Sequence, residues 1–174
     1  MAGRSAALLA AGLVLGGCSW LSSTVAPASC PIVSKVGDAA KLIRFAPGGG
    51  QELNNIAFEA GIMDVSGGCI SVDNGIRVDM TADFRAAKGP ADTEGKASFD
   101  YFVAIVGQGD KVLVREQFSS VIPFLATKTQ NDSKEPLQAT LPLAKGQQGS
   151  DFHIFIGFAL TPEELAYNRA HPGS

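Results

Sequence analysis

The stretch "GIRVDMTADFR", Gly75 to Arg85, decides the fold. Ile76, Val78, Met80, Ala82 and Phe84 occupy one set of alternate positions, and Arg77, Asp79, Thr81, Asp83 and Arg85 occupy the other. Successive side chains of a β-strand point to opposite faces, so this alternation predicts a half-buried strand with one apolar and one charged face. Just before it, Ile70-Ser71-Val72 runs into Asp73-Asn74-Gly75, residue types that tolerate the positive φ of a tight hairpin. Further upstream the period is again two. Ile56, Phe58, Ala60 and Ile62 alternate with Ala57, Glu59, Gly61 and Met63.

The same period continues downstream. "SFDYFVAIV", Ser98 to Val106, is apolar on both faces in its second half, which predicts a central strand covered on each side. Gly107 to Asp110 turns the chain back into Val112 to Ser120, where Val112, Val114 and Phe118 oppose Arg115 and Gln117. "TKTQNDSKEP", Thr127 to Pro136, reads as a polar loop, and Gln138 to Leu143 as an edge strand because Pro142 interrupts it. In Phe152 to Leu160, Phe152, Ile154, Ile156 and Phe158 point inward, with His153, Phe155 and Gly157 opposite. One helix start is fully written: Thr161 as N-cap, Pro162 in the first helical position, Glu164 completing a capping box, and Leu160 placed to staple onto Leu165. The expectation is an all-β chain, an antiparallel immunoglobulin-like β-sandwich of about seven strands with a short C-terminal helix. The alternative is a small β-barrel.

The N-terminus carries Arg4 and then the apolar run Ala6 to Leu15, shorter than the roughly 20 residues a spanning helix needs, and reads as a secretory signal. Leu15-Gly16-Gly17-Cys18 resembles the lipobox of bacterial lipoproteins. That resemblance implies cleavage before Cys18 and attachment of lipid to its sulfur, making residues 1–17 a lipoprotein signal peptide. Two or more acyl chains hold stably where one holds marginally, since each buried methylene contributes roughly 0.8 kcal/mol. The competing reading is an ordinary signal peptide cut near "SSTVAPAS", leaving a soluble periplasmic protein. Residues 18–29, small, polar and proline-interrupted, suit a lipidated tether, with Trp20 and Leu21 placed for the headgroup interface. The domain then occupies residues 30–174. By resemblance to enterobacterial sorting rules, where aspartate after the lipidated cysteine retains a lipoprotein in the inner membrane, Ser19 points to the outer membrane.

From Cys18 onward the chain carries 13 basic against 17 acidic residues, a formal charge of −4. The charges are interspersed, so neither nucleic acid nor a polybasic contact with anionic lipid is expected. Export places Cys30 and Cys69 in an oxidising compartment, where two cysteines without a third partner are expected to form a disulfide. The loop closed is about 40 residues, for which chain entropy gives roughly 4 kcal/mol as an upper figure.

Catalytic chemistry finds little to work with. The chain's two histidines are His153, on the outward row of its strand, and His171, in the tail "AHPGS". "SDFH" sets Ser150, Asp151 and His153 close in sequence without implying triad geometry, and no Gly-x-Ser-x-Gly elbow is present. Asp79 and Asp83 share a strand face about 13 Å apart, too far to chelate one ion. "VDNG" starts like a calcium loop, but position 12 counted from Asp73 is Phe84. "APGGGQE", Ala46 to Glu52, precedes a strand rather than a helix and lacks a Lys-Ser or Lys-Thr pair, so it is a connection and not a phosphate cradle. No catalytic residue, metal ligand or cofactor is therefore assigned. Arg85, Lys88 and Lys96 around "AAKGPADTEGK" could form a binding loop at one end of the sandwich. Phe102 and Phe155 would mark a partner patch if both lay exposed, although the doubly apolar strand favours burial of Phe102.

On Cys30-Pro31, Cys69, "FDYFVAIV" and "TPEELAYNR", the region after the tether resembles a group of uncharacterised small envelope lipoproteins of Gram-negative, alphaproteobacterial cells. The resemblance implies location and lends no mechanism. The expected function is a non-enzymatic binding, scaffolding or assembly module, held at a membrane through lipidated Cys18 and facing the periplasm, with an envelope protein as possible partner. The alternative is a periplasmic carrier or sensor of a small molecule or lipid, which a cleft lined by Phe84, Phe99 or Phe158 would favour; a hydrolase ranks third and would need His153 within hydrogen-bond reach of a serine or carboxylate in a pocket.

Overall fold

A computed structural model describes residues 29–172. Residues 1–28, on which the expected signal peptide, Cys18 with Ser19, and most of the expected tether fall, lie outside the described residues. Among the described residues, eight strands form two four-stranded sheets. The first sheet has the order β1 (Ile32–Lys35), β8 (His153–Phe158), β5 (Lys96–Val106), β6 (Val112–Pro123). The second has the order β2 (Lys41–Phe45), β3 (Ile56–Val72), β4 (Gly75–Lys88), β7 (Gln130–Pro142). Neither closes into a barrel. The expected sandwich is present with its C-terminal helix, α1 (Pro162–Ala170). Its likeness to immunoglobulin domains is one of architecture, because β2, β3 and β4 are successive neighbours in a single sheet.

The inward row of β4 is the floor of the core: Ile76, Val78, Met80, Ala82 and Phe84 are all at most 4 % exposed. Opposite it stand Phe99 and Tyr101 of β5 with Ile154, Ile156 and Phe158 of β8, also buried. β5 lies between β6 and β8, as its doubly apolar sequence predicts. Phe102 is half-buried rather than buried: its ring lies on the outer face over Gly157, and the Arg115 guanidinium covers it at 4.3 Å.

Three features depart from the sequence reading. First, Ile56 to Ile62 and Ile70 to Val72 belong to one 17-residue strand, with a bulge at Met63 where the register slips between Ile62 and Asp64. A bulge adds one residue and so reverses which parity faces the core. Beyond it Val65, Gly67 and Cys69, paired with Ala82, Met80 and Val78, point inward. Second, a short first strand, β1, pairs parallel with β8, Ile32 opposite His153, so the sandwich is not wholly antiparallel. Third, most of the expected loop "TKTQNDSKEP" is the first half of β7, which pairs with β4 from Gln130 onward. Its inward residues there are Asn131, Ser133 and Glu135, so no apolar alternation announces a strand. The remainder of β7 is an edge, as Pro142 suggests.

The β3–β4 hairpin closes through Asp73-Asn74, with Asn74 at φ 64°. Gly75 is required for a different reason, close approach: a Cβ there would stand 2.2 Å from the Leu141 carbonyl oxygen of β7.

Candidate functional site

The two long sides of the sandwich differ. On one, Cys30 and Cys69 form the expected disulfide, with Cα atoms 5.6 Å apart, and it ties the start of β1 in one sheet to β3 in the other. The Lys35 ammonium donates to the Ile62 and Met63 carbonyls at 2.8 and 3.0 Å, crossing the same seam. Helix α1 begins as its sequence dictates, with Thr161 Oγ1 accepting from the Glu164 N–H and the Glu164 carboxylate accepting from the Thr161 N–H. It lies along β2: Asn168 donates to the Asp38 and Lys41 carbonyls, and Tyr167 meets Phe45 edge-on at 5.4 Å. This side is closed.

The opposite side, where β6 and β7 are the two edge strands, is open. A cleft of about 360 Å³ enters between the sheets there. One wall is Val103 and Ile105 of β5 with Val114 of β6; the other is Met80 of β4 with Leu137 and Ala139 of β7. Glu116, opposite Val103 in the register, shares this inner face, and among the described residues its carboxylate has no hydrogen bond or ion pair. Val112, Leu113 and Val114 of β6 are 56, 47 and 43 % exposed, an apolar run on a strand edge.

A polar clasp stands farther along this seam. Glu135 Oε1 accepts from the hydroxyls of Ser120 at 2.6 Å and Ser133 at 3.0 Å, joining β6 to β7 across the sheets. Beside it Tyr101 is buried and stacks on Phe118 at 5.5 Å. Burial pushes the Tyr101 phenol up to about 12, with the Glu135 carboxylate adding to the rise. The fold thus prefers the protonated phenol. Its stabilising effect is intact below about pH 10, the ordinary tyrosine value, and is lost as pH rises towards 12. We expect urea unfolding midpoints to fall between about pH 9 and about pH 11.5, and Tyr101→Phe to remove the part of that fall owed to this group. Parallel slopes for the two proteins would contradict it.

Arg85, Lys88 and Lys96 do not converge. Arg85 makes a two-pronged contact with Asp132 at 2.8 and 2.9 Å, Lys88 meets Asp92 at 3.2 Å, and Lys96 meets Glu94 at 3.9 Å. The Arg85 contact holds the Asp132 carboxyl below its usual range. Asp79 and Asp83 face solvent on β4, bonded to β7: Asp79 by Gln138 at 2.7 Å, which depresses its pKa, and Asp83 by Lys134. His153 lies on the outer face of the first sheet, 3.0 Å from Ser34 Oγ and stacked on Phe155 at 4.2 Å. Among the described residues no carboxylate bonds to that ring, and the pair lies apart from the β6–β7 cleft. Asp151 bonds back to the Gln148 N–H, away from His153. Among the described residues no group of three or more His, Cys, Asp or Glu side chains could hold a metal ion.

Phe84, Phe99 and Phe158 pack on one another with centroids 5.1 to 5.7 Å apart and leave no cleft between them. The cleft lies instead at the β6–β7 edge, where walls from strands of different sheets meet, and the first half of β7, which leads into it, reads as a loop in the sequence. The available signal was charge: Asp132 and Lys134 sit opposite Arg85 and Asp83 of β4, a complementary cross-strand set.

These features define a class of protein, a disulfide-clamped β-sandwich closed along one side and open along the other. No protein-family model, curated protein or solved structure matches the chain.

Proposed function

We propose that this chain is a membrane-anchored envelope lipoprotein acting as a non-enzymatic binding, scaffolding or assembly module. The observation that carries the binding role is the open β6–β7 side, where an apolar cleft of about 360 Å³ meets the exposed run Val112-Leu113-Val114. A disulfide clamp and an interior of interlocked aromatic rings suit a rigid platform rather than a closing enzyme. The anchor rests on Leu15-Gly16-Gly17-Cys18 and on the polar tether after it. The cleft volume also favours a second reading, a carrier of a small apolar molecule, since ligand sites begin at about 300 Å³.

Two experiments test this. Cys18→Ser is expected to move the protein out of the detergent phase and to change its mature mass; retention of both properties contradicts lipidation. Affinity capture of the membrane-extracted full chain is expected to bring down a defined envelope protein, whereas reproducible recovery of lipid alone transfers the case to the carrier.

A further inference from the structure

We propose that β6 is the docking edge, and that its occupant is an extended strand of a partner polypeptide which carries apolar residues and one lysine or arginine on the row facing the cleft. This rests on the binding-module reading and says where and what the module binds.

The two sheets present four edge strands, β1, β6, β2 and β7. An edge strand offers unpaired N–H and C=O groups to any passing strand, and proteins blunt such edges by shortening them, covering them or placing proline and charge on them. β1 is four residues long and its start is clamped by the disulfide. β2 is covered by α1 through Asn168 and Tyr167. β7 carries Pro136 and Pro142, which cannot donate to a ladder, and Lys134 beside the first. β6 differs. Over Val112 to Gln117 it is exposed on both faces, contains no proline, begins with three apolar residues in a row, and carries its charge at Arg115, folded back over Phe102, and at Glu116, on the cleft-facing row.

The cleft behind β6 states the rest of the chemistry. A strand added at this edge would direct alternate side chains into the gap between the sheets, against Val114, Leu137 and Ala139. These walls select apolar residues on that row. Glu116 lies in the same row as Val114, two residues along the strand, and is the charged lining residue of the cleft. Among the described residues it makes no ion pair, so it selects a basic residue opposite, because opposite charges across a strand pair attract and like charges repel. Arg115 cannot serve this role, since it faces the other way and lies over Phe102.

The test uses the full chain and two synthetic peptides, Val-Thr-Val-Thr-Lys-Thr-Val-Thr-Val and the same sequence with glutamate replacing lysine. The lysine peptide is expected to bind at least about tenfold more tightly and to slow amide hydrogen exchange along Val112–Phe118 while leaving β1 and β2 unchanged. Glu116→Lys should invert the preference between the two peptides. Val114→Lys, a charge on the cleft-facing row, should abolish binding of the lysine peptide. Both positions are exposed, so far-UV circular dichroism and unfolding midpoints should match the parent. Binding of neither peptide, binding without protection of β6, or a preference unmoved by Glu116→Lys overturns the proposal. If the chain refuses both peptides yet captures an envelope protein, the module reading stands and the strand does not; if capture also yields lipid alone, both fall.

Discussion

Replacing Phe84 with alanine should destabilise the domain by about 3–5 kcal/mol, the range for removing a large aromatic side chain from a packed core. Phe84 is 1 % exposed and sits at the junction of the two sheets, with ring centroids 5.3 Å from Phe99, 4.9 Å from Tyr101 and 5.7 Å from Phe158. Its removal leaves a cavity that three neighbouring aromatic rings cannot fill without leaving their rotamers, so both the transfer contribution and the cavity contribution are lost. Against a total stability of about 5–15 kcal/mol for a domain this is a large fraction, and the melting temperature should fall by about 10 °C or more. Urea unfolding checks it: the midpoint should drop while the slope stays the same. Phe84→Leu, which keeps most of the volume, should cost clearly less. Equal losses for the two variants would mean that ring packing is not what holds this junction.

Removing the disulfide should have the next largest effect. Cys30 and Cys69 are separated by 39 residues, for which the chain-entropy relation gives about 4 kcal/mol, and native bridges in practice contribute about 2–4. The double variant Cys30→Ser, Cys69→Ser should unfold at correspondingly lower denaturant, and the parent protein under reductant should match it. The consequence is local as well as global. β1 is four residues long and held by one parallel ladder to β8, so its amides should lose exchange protection before those of β4 or β5. If β1 stays as protected in the reduced protein as in the oxidised one, the ladder and Lys35 suffice to hold it, and the clamp is dispensable.

Much of the architecture is legible wherever one face of a strand is apolar and the other polar. Gly75 to Arg85 shows this best, and the buried row of β4 matches the sequence position for position. The helix start at Thr161 is legible because capping is local chemistry, settled by residues three apart. The first half of β7 is hidden because Asn131, Ser133 and Glu135 occupy its inward row, where Glu135 accepts from Ser120 and Ser133 and Asn131 donates to the Pro123 carbonyl, in place of apolar packing. β1 was missed because a four-residue strand leaves too short a pattern, and its pairing to β8 joins residues more than a hundred apart in sequence.

The site shows the same division. By itself the sequence determined the all-β class, the inward rows of β4, of β8 and of β3 as far as Ile62, and the chemical fitness of Cys30 and Cys69 to pair, because these follow from side-chain period and from cysteine count. Only the tertiary structure decided how they meet. Counting by twos from Ile62 turns Cys69 outward, and the bulge at Met63 reverses the parity and aims it at Cys30. Tertiary structure likewise left one side of the sandwich open, since which edges end up adjacent depends on strand order, and strand order is set by packing between distant segments rather than by any local pattern.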